Sequence, residues 1–191
     1  MIRTVLAVAA VAVGGLAFGQ EKKPTAAEEK EIQRKRVEAY LKKYPTEVPE
    51  LLDLAEKVDE TLTALVASVK VSDDDTPAVR AAKRSLLAEY ERRKLVRTRI
   101  LGGQFTGGAA YLQLTDAEVQ IYHSAALIWS EPEKLLPFAE CMAGARLNAE
   151  LFVVPQVESG IAEPQLAPQL QAARCKAEVV VLKLREQVKK K

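Results

Sequence analysis

The sequence predicts an all-α protein, an antiparallel bundle of five to six helices. Apolar residues recur at helical spacing, helix-capping patterns separate the apolar segments, and no segment shows the alternation of a β-strand. Aromatic residues make up only 5% of the 191 residues, so we expect close packing with modest burial at each position. Such packing is compatible with an elongated bundle or with a homodimer.

The first 19 residues have the features of a secretory signal peptide. Arg3 precedes an unbroken apolar or small run from Val5 to Phe18, after which charge returns. This run is shorter than the roughly 20 residues that a membrane-spanning helix needs. We therefore expect export to the periplasm or beyond, with cleavage after Gly19 or, alternatively, after Ala17. Retention as an uncleaved anchor is the other outcome.

The charge composition excludes some partners. The formal net charge is +2, from 28 basic and 26 acidic residues. A chain so close to balance has no overall attraction to nucleic acid or to a membrane surface, and export also disfavours nucleic acid. No later apolar segment reaches spanning length, so we expect no stable membrane span after signal cleavage.

Capping patterns and prolines set the expected helix boundaries. After a polar leader over 20–25, Thr25 and Glu28 fit a capping box, and Pro45 ends the helix that they begin. A single helical-bundle domain is expected over 26–191. The expected helices span about 26–44, 47–70, 77–101, 116–129, 131–155 and 165–188.

Two of these helices carry heptad seams, in which apolar residues alternate steps of four and three as in a coiled coil. In the second helix the seam comprises Leu51, Ala55, Val58, Leu62, Leu65 and Val69. In the last helix it comprises Leu166, Leu170, Ala173, Ala177, Val180 and Leu184.

The third helix has clear signals at both ends. Thr76 or Asp75 can cap it, and Pro77 suits its first turn. The glycine-rich stretch 102–110 ends it. That stretch lacks the lysine and the following Ser or Thr of a phosphate-binding loop, so we expect a flexible interhelical loop.

The segment 114–136 predicts a helix–kink–helix joint. Thr115 and Glu118 fit a second capping box, and Leu114 and Val119 fit its hydrophobic staple. A buried stripe is expected at Val119, Tyr122, Ala126 and Trp129, with the tryptophan in the core. The residues expected to form the joint are Thr115, Glu118, Trp129, Ser130, Pro132 and Pro137.

The two cysteines, Cys141 and Cys175, are equidistant from residue 158, inside the turn expected over 155–164. Residues equidistant from the turn of an antiparallel hairpin lie level with each other, so a disulfide is expected in an oxidising compartment. It would stabilise the fold by about 3–4 kcal/mol. The alternative is two buried free thiols.

Catalytic and metal-binding patterns are not apparent. His123 has no orienting partner or nucleophile in a recognisable pattern, so we expect a histidine on a helix flank. The acidic run 73–75 lacks the spacing of a calcium loop and suits helix capping. Four carboxylates lie at helical spacing and suit a solvent-facing helix side better than glycoside hydrolysis: Asp53, Glu56, Asp59 and Glu60. We expect no catalytic residue, metal or cofactor.

The third helix is strongly basic, with eight cations against two carboxylates between positions 80 and 99. The cations are Arg80, Lys83, Arg84, Arg92, Arg93, Lys94, Arg97 and Arg99. One interpretation is a patch for an anionic partner, such as lipid head groups, an acidic envelope polymer or an acidic protein. The other is a solvent-exposed face balanced by acidic residues on neighbouring helices.

The segment 114–136 also resembles the C-terminal portion of a widespread family of uncharacterised exported bacterial helical proteins. That family has a Thr-x-x-Glu cap, an aromatic-x-Ser-Pro turn and then Lys-Leu-Leu. The residues that match in order are Thr115, Glu118, Trp129, Ser130, Pro132, Lys134, Leu135 and Leu136. Glu131 separates the serine from the proline, and the glycine usual before the lysine is missing. The resemblance covers about a quarter of the chain and implies location and fold, not mechanism.

The sequence thus predicts an exported bacterial envelope protein with a non-enzymatic binding or structural role, which has a protein or another envelope component as its partner. The alternative is a periplasmic chaperone-like binder of unfolded or anionic partners, which would use the basic helix and apolar grooves. The stretch 114–120 is also similar to the Leu-Thr motif of small periplasmic helical chaperones, although the spacing of its glutamine differs. A hydrolase that uses surface carboxylates is the third hypothesis.

Overall fold

The structure, a computed structural model, describes residues 25–103 and 108–190. Within these ranges it has six α-helices and no strand, which confirms the predicted all-α bundle. The helices are α1 (Ala26–Lys43), α2 (Leu51–Ala67), α3 (Pro77–Leu101), α4 (Gly108–Ile128), α5 (Pro132–Glu158) and α6 (Leu166–Lys189). The predicted signal peptide and all but the last residue of the polar leader lie outside the described residues.

The chain divides into two units, Met1–Pro45 and Thr46–Lys191. In the first unit α1 begins at the predicted capping box. The Thr25 hydroxyl accepts a hydrogen bond from the Glu28 backbone N–H (3.3 Å), and the Thr25 N–H donates to the Glu28 carboxylate (2.6 Å). The helix ends just before Pro45, as the sequence predicts.

In the second unit α2 begins at Leu51, four residues later than expected. The preceding residues form a loop, in which the Thr46 hydroxyl accepts a hydrogen bond from the Val48 N–H (3.1 Å). Val48 is fully buried and extends the core beyond the helix. The heptad seam is confirmed at five of its six positions, with Val66 buried in place of the half-buried Leu65.

The boundaries of α3 agree with the sequence. The Thr76 hydroxyl caps the helix by accepting a hydrogen bond from the Val79 N–H (3.3 Å), and Pro77 is the first helical residue. Gly102 caps the C-terminal end, and Gly103 follows with a φ of +69°, a conformation that glycine adopts at little cost.

The predicted start of α4 is wrong. The helix begins at Gly108, so the loop expected over 102–110 is shorter, and Thr115 and Glu118 lie inside a helix instead of capping one. The Thr115 hydroxyl donates to the Leu112 carbonyl (3.0 Å), back along its own helix. A Thr-x-x-Glu pattern fits a cap or a helix interior equally well, and here the packing of α4 decides in favour of the interior.

Three consecutive helix pairs are antiparallel, and pairs of contacts fix their register. For α3 and α4 these contacts join Arg93 to Glu118 and Ser85 to Ser124. For α5 and α6 they join Glu150 to Arg174 and Glu140 to Arg185. The pair α4 and α5 is antiparallel as well, because Tyr111 stacks on Phe152 while Trp129 stacks on Phe138.

The central helix of the second unit is α5, which contacts α2, α4 and α6. Its closest approach to α2 is at Gly144, where an added Cβ would lie 2.9 Å from the Ala55 nitrogen. Pro137 and Pro155 lie inside α5, which continues to Glu158. The prediction that Pro155 ends this helix is therefore wrong, because the final turn closes with the Ser159 N–H donating to the Pro155 carbonyl (3.1 Å).

None of the helices in the described ranges is long and apolar enough to cross a membrane.

Candidate functional site

A chain of charged side chains runs through the interior and joins three helices. Arg93 of α3 is buried, and its Nε donates to Glu118 of α4 (2.7 Å) while its terminal nitrogen donates to Asp59 of α2 (2.8 Å). Arg97, one turn further along α3, also pairs with Asp59. Charge-assisted bonds of this kind offset much of the cost of burying ions, and losing one partner is expensive.

Glu118 is the least satisfied member of this chain. It is only 3% exposed, and its Oε1 accepts the Arg93 bond. Its Oε2 is buried and has no hydrogen-bond partner among the residues that the structure describes. Burial raises the pKa of Glu118 to about 7, against the lowering effect of Arg93. The site therefore holds a carboxyl group that changes charge near neutral pH.

Sequence reasoning missed Glu118 as an interior residue because it assigned Thr115 and Glu118 to a cap. A signal for the correct face was present. Apolar residues recur in steps of four and three from before the supposed cap, and the buried ones are Ala110, Ala117, Ile121 and Ala125. The predicted stripe is accordingly wrong, since Val119, Tyr122 and Trp129 are half-buried and Ala126 is exposed.

A small pocket of about 80 Å³ lies between α2, α3, α4 and α5, next to Glu118. Its buried lining residues are Val58, Arg93, Glu118, Ala145 and Ala149. Its half-buried lining residues, which form the rim, are Asp59, Arg97, Tyr111, Leu114 and Asn148. Asn148 is held in place because its Nδ2 donates to the Ala55 carbonyl (2.7 Å). The pocket thus combines an apolar wall with oriented polar groups.

A second buried cluster joins α5, α6 and the loop before α2. Arg174 has no exposed surface, and it pairs with Glu150 (2.6 Å) and with Glu178. The Glu178 carboxylate also accepts a hydrogen bond from the Glu47 N–H (2.9 Å). Burial lowers the pKa of Arg174, but its bonds to Glu150 and Glu178 raise it by more, so the guanidinium stays charged. This cluster fixes the positions of the helices, and none of its residues lines the pocket.

The structure separates the eight predicted patch cations into inner and outer residues. Arg93 and Arg97 belong to the interior chain. Lys83 pairs with Asp75 (2.6 Å) and Arg80 pairs with Asp73 (3.5 Å), so the acidic run 73–75 balances the start of α3. The residues whose side chains remain exposed are Arg84, Arg92, Lys94 and Arg99. Arg92 pairs with Glu89 and Asp116, and Lys94 pairs with Glu91.

The predicted disulfide is wrong, because Cys141 and Cys175 are both free. Glu150 pairs with Arg174, and Glu140 pairs with Arg185, so Cys141 lies level with residues near 184. Cys175 is then about 13 Å away along the helix axis. The cysteines also lie on different faces, since Cys141 is buried and Cys175 is exposed. The prediction assumed a turn centred at residue 158, but the ion pairs between α5 and α6 show a different register.

The remaining predicted residues of the joint lie near the surface. Three non-helical residues separate α4 from α5, and Pro132 begins α5 as predicted. Ser130 does not act as the cap; its N–H donates to the Glu131 carboxylate (3.1 Å). Trp129 is half-buried, with its ring 5.5 Å from that of Phe138, so its expected place in the core is a further correction. His123 is exposed on α4.

Within the described ranges, no group of three His, Cys, Asp or Glu side chains is placed to hold a metal ion. Of the carboxylates considered for hydrolysis, Asp53, Glu56 and Glu60 are exposed, and only Asp59 lines the pocket. No protein-family model, curated protein or solved structure matches this chain.

Proposed function

We propose that this protein is an exported, non-enzymatic binding protein of the bacterial envelope, and that the outer face of α3 binds an acidic protein partner. The signal-like N-terminus supports the location. The geometry of α3, with its inner side built into the bundle and its outer side basic and partly apolar, supports the binding role.

The single observation that carries the proposal is the exposure of Leu95. This side chain is 61% exposed in the middle of a line of residues that share one side of α3. At spacings of four, four, three and four, the outer face comprises Arg84, Ala88, Arg92, Leu95 and Arg99, and all five are exposed. Arginine is enriched at protein interfaces, and the core of an interface is more apolar than the surrounding surface, so an exposed leucine between arginines fits an interface.

The ion pairs on this face do not prevent binding. Arg92 pairs with Glu89 on the same helix and with Asp116 on α4, and the neighbouring Lys94 pairs with Glu91. Glu89 is partly exposed, at 26%, and the other side chains of these pairs are 43–63% exposed. Exposed pairs contribute about 0–1 kcal/mol each, so carboxylates of a partner can replace them at little cost. Binding through such groups weakens as salt rises, because salt screens exposed charges.

Site-specific photo-crosslinking tests this proposal. A photoreactive amino acid would replace Leu95 in the full-length protein in bacterial cells. The matched control replaces Leu127, which is 73% exposed on α4 and outside the outer face. We expect a discrete protein adduct from position 95, weakened by Arg84→Glu, and no such adduct from position 127. Equal adducts from both positions, or none from 95, would contradict the proposal.

Two further measurements separate the competing hypotheses. Selective co-sedimentation of the purified protein with anionic over neutral vesicles would favour lipid head groups over an acidic protein. Suppression of the aggregation of an unfolded client would favour the chaperone-like alternative.

Cell fractionation, with N-terminal sequencing of the exported chain, tests the location, and we expect the mature chain to begin at Gln20.

A further inference from the structure

The pocket beside Glu118 is a second feature with the properties of a site, on the opposite side of α3 from the outer face. One of its lining residues is almost wholly buried, because Glu118 is 3% exposed, and the Oε2 of this side chain has no hydrogen-bond partner among the described residues. A buried polar atom without a partner costs free energy, so a ligand that donates a hydrogen bond there is favoured.

The rim of the pocket supplies complementary groups. Arg97 is partly exposed, and its one bond in the described structure goes to Asp59, which leaves other N–H groups of its guanidinium able to donate. Asn148 uses its Nδ2 to hold the Ala55 carbonyl, so its Oδ1 is left as an acceptor. The residues that line the pocket therefore carry two acceptors and one donor for a ligand.

The charge of the pocket indicates an uncharged ligand. With Asp59 and Glu118 ionised, their two negative charges balance the positive charges of Arg93 and Arg97. A cation would meet two arginines, and an anion would meet the Glu118 oxygen. A neutral group with an N–H donor beside a carbonyl acceptor is repelled neither by the arginines nor by the Glu118 oxygen.

We propose that this pocket binds a primary carboxamide group. The amide nitrogen donates to Glu118 Oε2 and to Asn148 Oδ1, and the amide oxygen accepts from Arg97. Val58, Ala145 and Ala149 contact the carbon next to the amide. The group comes from a small free amide or from an Asn or Gln side chain of a partner, and its size suits a pocket of about 80 Å³.

An NMR titration with acetamide at about pH 8 tests the proposal, because the pKa of Glu118 is about 7 and the ionised carboxylate is the acceptor. Four heavy atoms limit the dissociation constant to about 40 μM at best, so we expect saturable binding in the millimolar range. The perturbed backbone amides should be those of Leu114, Ala145 and Ala149. Acetate and acetamidinium have the same four heavy atoms and the same shape as acetamide but carry charge, and they should bind at least about tenfold more weakly.

Variants provide the second arm. Arg97→Met removes the rim donor and should weaken acetamide binding about tenfold, whereas Lys183→Met, at an exposed position of α6 that does not line the pocket, should leave it unchanged. The comparison of acetamide with acetate and acetamidinium uses the unaltered protein, so it remains valid even if a variant unfolds. The tripeptides Gly-Gln-Gly and Gly-Glu-Gly identify the source: tighter binding of the glutamine peptide than of acetamide indicates a partner side chain, and weaker binding indicates a free amide.

Non-saturable shifts with acetamide would overturn the proposal. Equal affinity for acetamide and acetate, or equal effects of Arg97→Met and Lys183→Met, would overturn it as well. None of these results depends on the outer face of α3, so this proposal and the proposed function fail or succeed separately.

Discussion

Arg174 lies wholly inside the protein between two carboxylates, those of Glu150 and Glu178. Each of these charges is stable in the interior only because the others are present. Sequence patterns do not predict such residues, because charged positions normally indicate the exposed side of a helix. Their burial depends on a partner from another helix, and that partner is known only once the helices are packed in register.

Removing the central cation of this cluster should be costly. We expect Arg174→Met to lower the free energy of unfolding by about 3–5 kcal/mol, since it leaves two buried carboxylates without their counter-ion. Arg185→Met is the matched control, because Arg185 pairs with Glu140 and Glu50 at a partly exposed position, where the loss should be about 1 kcal/mol. Urea unfolding measures both, and equal losses would contradict the structural roles assigned to the two arginines.

The cysteines should differ in reactivity. Cys141 is 4% exposed, and burial raises the pKa of its thiol to about 12, whereas Cys175 is exposed. Thiolate is the reactive form, so Cys141 should be inert in the folded protein. We expect mass spectrometry to find one alkyl group on the native protein and two in denaturant without reductant. If alkylation in denaturant requires a reductant, the two cysteines form a disulfide and the assignment of two free thiols is wrong.

At the scale of the helix, the existence and order of the elements were predictable because heptad seams and proline positions are strong local signals. The start of α4 was not. Thr115 and Glu118 fit a capping box, although apolar residues continue at helical spacing upstream of Leu114, and only the packing of α4 against α3 distinguishes the two assignments. The candidate site is subject to the same limit, because its residues come from four helices and the sequence pattern assigns Glu118 to a cap.

Gly144 sets the distance between α2 and α5. A methyl group there would lie 2.9 Å from the Ala55 nitrogen and 3.0 Å from its Cα, both backbone atoms that cannot move independently. At an exposed helical position, Gly→Ala is stabilising by about 1 kcal/mol. We expect Gly144→Ala to have the opposite sign and to destabilise by about 1–3 kcal/mol in a thermal or urea unfolding experiment. A stabilised variant would show that the two helices are not in close contact.

Thr115 offers a test of where α4 begins. An N-cap threonine contributes about 1 kcal/mol, which a valine cannot supply. Inside the helix, the Thr115 hydroxyl only donates to the Leu112 carbonyl, and a valine fills the same volume. We therefore expect Thr115→Val to change the free energy of unfolding by less than about 0.5 kcal/mol. Thr76→Val is the control at a true cap and should cost about 1 kcal/mol.

At the scale of the whole molecule, the helices α2 to α6 pack through buried apolar residues, and charged clusters lie among these residues, as Arg174 and Glu178 do on the buried side of α6. The seams explain why the fold class could be read from the sequence. The clusters make the stability of the whole unit depend on the ionisation of a few interior groups. Glu118 is the most informative of these, because Arg93 of α3, Asp59 of α2 and Arg146 of α5 all act on its charge.

The pH dependence of unfolding is the most direct test of this polar interior. The pKa of Glu118 is raised from 4.5 to about 7 in the folded protein, so its contribution to stability is fully present below its unfolded pKa. That contribution is lost as pH rises through about 7. Glu118→Gln removes the titration but keeps the shape. We predict that the difference in unfolding free energy, wild type minus variant, falls by about 3 kcal/mol between about pH 4 and about pH 8. A difference that stays constant over this range would contradict the buried, half-satisfied carboxyl group on which the account rests.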